Sequence, residues 1–358
     1  MDGSPIDIVI FAPLALIFGV ILFWFIQLLF IESQKYFLSQ ISHNHDALIK
    51  FSNFLGVLFQ TMCHALGYTV TKSGISSFYV SVNYGKVSPK KVRKGLLEWT
   101  SNAFLFIGPF FIPGILILIC LLFLINSDYF LISYTGYTFS ENFISFGINL
   151  YNFSSGFLNF LFTIDLLHPF HLGFLILLIF MGMGIRPSFI GEKNQEKVDM
   201  IYDLKNIRSN ILHKPVYILI LILFSYIFFY ISILTQQNLY ITIFTILGWL
   251  SIISIVSLII THMILLLIKL TDNIKGVSKI LPYLVIPVSY VFLRLIFFFC
   301  PIPYQNSISL LLTIFITSIV LIILLKKNTN KFKTNIDMNS LFKIGKRRRD
   351  EPRRIIRK

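Results

Sequence analysis

Charge is what this sequence lacks. Of its 358 residues only 13% are Asp, Glu, Lys or Arg, while 56% are hydrophobic. Soluble domains carry about 25% charged residues. The deficit excludes an ordinary cytosolic enzyme, and the apolar content excludes intrinsic disorder, which requires low hydrophobicity. Acidic residues are the scarcer sign: 16 Asp and Glu stand against 31 Lys and Arg, a net charge of +15. Cysteine is nearly missing. Cys63, Cys120 and Cys300 each lie in or at the end of an apolar stretch, without the spacing of zinc ligands. That excludes a disulfide framework. No basic segment precedes the first apolar run, and the run is too long for a signal peptide. It reads as a retained membrane helix.

What is present is apolar length. A bilayer core of about 30 Å needs about 20 apolar residues per helix. Eight runs meet or approach this, at 8–31, 51–70, 102–125, 157–184, 216–234, 239–268, 281–300 and 307–325. The second holds Gln60, Thr61 and His64, so it belongs inside the bundle, away from lipid. The expected fold is an all-α integral membrane protein, a polytopic bundle of about eight transmembrane helices. A short membrane-associated β hairpin follows the second helix. Its evidence is the alternating run Phe78-Tyr79-Val80-Ser81-Val82-Asn83-Tyr84, bracketed by Gly74 and Gly85.

The positive charge finds a place in this frame. The linkers 71–101, 185–215 and 269–280 and the tail from Lys326 hold 6, 6, 3 and 13 Lys or Arg. The opposite linkers hold two between 32 and 50 and none elsewhere, and Arg294 lies inside a helix. The positive-inside rule then makes the protein integral to the cell membrane with both termini cytoplasmic. The tail 326–358, with Lys346-Arg347-Arg348-Arg349, suits anionic lipid headgroups, and no nucleic-acid partner is expected. The linker 186–215 shows helical apolar spacing over 191–212, which predicts a short amphipathic helix.

Ionisable residues at membrane depth are costly, so each is a site candidate. They are His64, Asp165, His168, His171, His262 and Arg294. At about 1.5 Å per residue, Asp165, His168 and His171 lie about 12, 16 and 21 Å into the fourth run, and His64 about 20 Å into the second. Three imidazoles near one depth, His64, His168 and His171, match a zinc site with a fourth position for water. Against this, a buried histidine commonly bridges a polar contact between helices. Pro169 is expected to kink the fourth helix. Arg294 has three alternatives: pairing with Asp165, snorkelling, or bonding carbonyls freed by Pro287.

The order of these features resembles the site-2 protease family, the intramembrane zinc peptidases of the M50 type. There a helix bearing His-Glu-x-x-His is followed by a β hairpin, a helix opening near Gly-Pro, and a helix with Asn-x-x-Pro-x-x-x-Leu-Asp-Gly. Here the corresponding residues are Gln60-Thr61-Met62-Cys63-His64, the strand 78–84, Gly108-Pro109, and Asp165-Leu166-Leu167-His168-Pro169-Phe170-His171-Leu172-Gly173. The resemblance covers about a third of the chain, 51–185, and implies a three-helix core there. It leaves 1–50 as an N-terminal helix with an external loop and 216–325 as four accessory helices. His64 fits the second histidine of the motif. Gln60 replaces the first histidine, Thr61 replaces the glutamate, and the third-ligand position falls on or close to Gly173. A zincin needs its glutamate as general base, and threonine cannot serve. The resemblance therefore implies a catalytically degenerate protein that binds membrane segments or partner proteins. Two other readings stay open. One is a metal-dependent hydrolase with zinc on His64, His168 and His171 and Asp165 in support; the other is a small-solute or ion transporter using Asp165 and Arg294.

Overall fold

The computed structural model describes residues 5–41, 44–82, 85–92, 96–134, 136–185, 216–300 and 302–350. The amphipathic helix expected over 191–212 lies outside the described residues. The chain divides into two compact units, Met1–Leu265 and Leu266–Lys358.

The first unit opens with a π turn, Asp7–Phe11, and a 3-10 turn, Ala12–Leu14, before α1, Ala15–Ile41. α2, Asp46–Val70, follows after a short connection. Strands β1, Ile75–Val80, and β2, Gly85–Pro89, pair antiparallel, with Phe78 opposite Val87 and Val80 opposite Gly85. The expected hairpin is therefore present, but its first strand starts earlier and stops at Val80. Ser81 and Val82 already lie outside the strand, although the apolar alternation runs on through Val82. Next come α3, Leu96–Leu124; α4, Phe139–Thr163; α5, Pro169–Gly184; α6, Val216–Thr235; and α7, Leu239–Asp272. Gly108 falls inside α3 and not at its start. The second unit takes up the end of α7, then α8, Leu281–Phe299, with Pro287 in its interior, and α9, Gln305–Asp350. Within it Lys279 pairs with Asp272 at 2.5 Å, and the hydroxyls of Thr271 and Tyr283 meet at 2.6 Å.

Among the described residues four helices are long and apolar enough to cross a membrane: Asp7–Ile41, Leu239–Asp272, Leu281–Phe299 and Gln305–Lys327. The protein is thus a helical membrane protein by length and composition. The fourth expected span needs correction. It is two helices, α4 and α5, separated by the turn 164–168. In one continuous helix, residues 157 and 174 would lie about 25 Å apart. Instead the rings of Phe157 and Phe174 are 6.4 Å apart, and Phe160 meets both Phe174 (5.2 Å) and His171 (5.4 Å). Helix thus folds back on helix. Pro169, expected as a kink, is instead the first residue of α5, where its missing N–H costs no intrahelical bond.

A second correction concerns direction. The Leu16 N–H donates to Tyr240 Oη at 3.3 Å, and Phe37 packs edge-on to His262 with ring centroids at 4.4 Å. From 16 to 37 and from 240 to 262 are nearly equal steps, each about 32 Å of helix. α1 and α7 therefore run side by side in the same direction. Strict alternation over single spans makes them opposite. The break in the fourth run alters that count by one, so the segment before α1 lies at the same end as the turn 235–238, which has no Lys or Arg.

Local chemistry fixes the ends. Thr138 and Glu141 form a reciprocal capping box at the start of α4, and the Phe139 N–H donates to Asp7 Oδ2 at 3.0 Å. The hydroxyl and backbone N–H of Thr138 hold the Glu141 carboxyl below its ordinary range. A depressed carboxylate stabilises the fold above its unfolded pKa, and that contribution is lost as pH falls through the folded value. Lowering the pH from 6 to 3 should therefore reduce the unfolding temperature of the purified protein more than that of Glu141→Gln. Impermeant-maleimide labelling tests the parallel pair: with the three native cysteines replaced, Ile6→Cys and Gln236→Cys should react from the same side of the membrane.

Candidate functional site

α2 lies at the heart of the first unit because its small and polar residues admit close neighbours. A Cβ on Gly85 of β2 would stand 2.3 Å from Thr61 Cγ2 and 2.8 Å from Val57 Cγ1. One on Gly108 of α3 would stand 3.0 Å from the Cys63 Cβ, and one on Gly184 of α5 would stand 2.3 Å from the ring of Phe59. Hairpin, α3 and α5 thus all rest on the stretch 55–63. Gln60 and Thr61 are buried at 3% and 2% exposure. The Thr61 hydroxyl lies 2.8 Å from Val57 O and 2.9 Å from Leu58 O. It is turned back onto its own helix and walled by β2, so it faces no reaction space. His64 is half-buried, its ring tilted 5.9 Å from that of Tyr68, and its Nδ1 is buried without a hydrogen-bond partner.

Asp165, His168 and His171 sit on the α4–α5 turn and not along a crossing helix, so their expected depths do not apply. Asp165 Oδ1 accepts the Leu167 N–H at 3.0 Å, and His171 Nδ1 accepts the Asp165 N–H at 3.1 Å. The His168 and His171 rings lie 4.6 Å apart. These bonds make the side chains part of the turn's own scaffolding. His168 and Phe170 beside it are exposed. Gly173 is also exposed, and a Cβ there would meet nothing within 4 Å. The family's third-ligand position thus points into open space. Arg294 is half-buried on α8 in the second unit.

Among the described residues no three His, Cys, Asp or Glu side chains are placed to hold a metal ion. The structure brings together His168 and His171 with Asp165, but His64 does not join them. Among the described residues the donor set does not fit the zinc that the resemblance implies.

Another polar convergence lies along α5, from Leu178 to its end. Gln34 Nε2 of α1 donates to Gly182 O at 2.9 Å, and Ser52 Oγ of α2 donates to Met183 O at 3.0 Å. Ser257 Oγ of α7 donates to Leu178 O. Thr261 Oγ1 donates to Ser257 O at 2.9 Å and lies 3.4 Å from Ile179 O. All four side chains are buried. The sequence carries a signal for this site: Gln27 and Gln34 share one face of an apolar helix, and Ser251, Ser254, Ser257 and Thr261 recur at helical spacing. None is ionisable, which is why a search for charge at depth passes over them.

No protein-family model matches the chain, and neither a curated protein nor a solved structure does.

Close approach at this convergence depends on Gly182, where a Cβ would stand 2.3 Å from Ser257 O. Backbone cannot swing aside as a side chain can. Gly182→Ala should destabilise the protein by about 1–3 kcal/mol, read as a lower unfolding temperature in detergent. Gly173→Ala, with open space around it, should leave that temperature unchanged or raise it.

Proposed function

We propose that the protein is a non-hydrolytic membrane scaffold of site-2-protease-like layout, which binds membrane segments of other proteins. The observation that carries this reading is the closure at Thr61. The hairpin seats Gly85 on the turn of α2 where the family places its general base, and the threonine hydroxyl is bonded to its own helix. A peptidase needs a water, a base and a polarising centre at that place, and the residues there supply none of them.

Binding needs less. Met62, Leu66 and Val70 form an exposed apolar stripe on α2, at i, i+4 and i+8. In this reading a partner's apolar helix lies along the stripe, in the groove where a peptidase would hold its substrate. In this reading the basic tail from Lys326 rests against anionic headgroups.

The test uses purified protein in proteoliposomes with a labelled single-span peptide. The expected results are binding by energy transfer, about tenfold weaker for Met62→Lys, and no cleavage with or without added Zn²⁺. Metal-dependent cleavage of the peptide overturns the proposal, and so does binding that Met62→Lys leaves untouched.

A further inference from the structure

α5 stops inside the first unit. It has 16 residues, about 24 Å of helix, which is short of a bilayer core. Met181 to Ile185 are all buried. The carbonyl end of a helix carries a partial negative charge, and among the described residues no Lys or Arg occupies the last turn of α5. The side chains brought there from α1, α2 and α7 are Gln34, Ser52, Ser257 and Thr261, all neutral oxygen carriers.

Hydrogen bonding leaves part of this set unexplained. Gln34 uses its Nε2 on Gly182 O, while its Oε1, on the same amide, is buried and has no partner among the described residues. Gln34 is 2% exposed, so solvent does not reach that oxygen. Two turns earlier on the same face of α1, Gln27 is fully buried with both amide atoms unpartnered. A buried acceptor without a donor is costly, and an acceptor beside a negative helix end is costlier, because the two repel.

We propose that the end of α5 and Gln34 Oε1 bind a monovalent alkali cation. Gln34 Oε1, the Gly182 and Met183 carbonyls and the Ser52 hydroxyl oxygen are the neutral oxygen ligands there, each carbonyl keeping a second lone pair beyond the hydrogen bond it accepts. Half-helix ends with exposed carbonyls coordinate Na⁺ in membrane proteins for the same electrostatic reason. The absence of a carboxylate from this set disfavours Ca²⁺ or Mg²⁺, whose dehydration in a low-dielectric site needs charged ligands. No group in the set titrates near neutrality, so a proton does not replace the cation. The proposal is independent of the scaffold reading, since the site needs no partner protein.

The experiment uses the full chain purified in choline chloride. Na⁺ and K⁺ are each titrated at constant ionic strength against choline while thermal unfolding is followed by tryptophan fluorescence. A saturable rise of about 5 °C at a hundredfold excess over Kd is expected for at least one of the two. Gln34→Leu should abolish the response, and Gln34→Glu should move its midpoint to lower cation concentration. Should Gln34→Leu not fold, equilibrium binding of radioactive sodium to the wild type decides, with about one ion per chain displaced by K⁺ or unlabelled Na⁺ but not by choline. Equal unfolding temperatures in all three chlorides, no saturable binding, or a response retained in Gln34→Leu each overturn the proposal. Buried water alone would then meet the unpartnered oxygens.

Discussion

The first unit depends on how the carbonyls at the end of α5 are satisfied. A helix that ends in water leaves its last carbonyls to the solvent, but one that ends in a packed interior must find donors in protein. Each unmet group there costs about 1–3 kcal/mol. Two other helices supply donors to them, α1 through Gln34 and α2 through Ser52, and α7 adds Ser257 a turn earlier, on Leu178 O. Apolar packing alone would tolerate sliding, because lipid and leucine attract one another about equally. A hydrogen bond to a named carbonyl does not. The polar contacts thus set the register of four helices, and glycine at 182 and 184 lets them approach closely enough to form.

Much of the layout was legible in the sequence. The apolar runs located the helices, and alternation between glycines located the hairpin. Gln60 and Thr61 marked a buried face of α2, while Met62, Leu66 and Val70 on the same helix are exposed. The fourth run was misread for a definite reason. A proline inside an apolar stretch is compatible both with a kinked helix and with the first turn of a new one, and hydropathy does not tell them apart. The cue lay in Asp165, whose carboxylate caps Leu167 in a tight turn ahead of Pro169. The first half of α4 was missed because Glu141, Asn142, Asn149, Asn152 and its serines interrupt the apolar run there. Its capping box, Thr138-Phe139-Ser140-Glu141, was readable nonetheless.

The candidate site was legible only in its negative half. Gln60 and Thr61 declare in sequence that a zincin's base is missing, and the structure adds that β2 occupies the space beside them. Equal depth for His64, His168 and His171 rested on two straight helices, and one of them does not exist. Depth along a helix is a sound ruler only while the helix continues. The convergence at α5 was written in neutral residues, glutamine and serine, whose meaning depends on what faces them across the bundle. Sequence periodicity shows that they share a face but not which backbone they meet.

The irregular backbone from Asp7 to Leu14 has a bearing on how the protein is made. Its free carbonyls are met by groups more than two hundred residues away: Val9 by Tyr230, Ile10 by Tyr226, and Pro13 by Ser225 and Tyr240. During synthesis this stretch emerges before α6 and α7, which hold its donors. Until these emerge it has only water, headgroups or an assembly factor to bond to. The first helix can therefore settle only when the last helices of the unit arrive, so the unit closes late and all at once, with the tyrosines acting as its final latch.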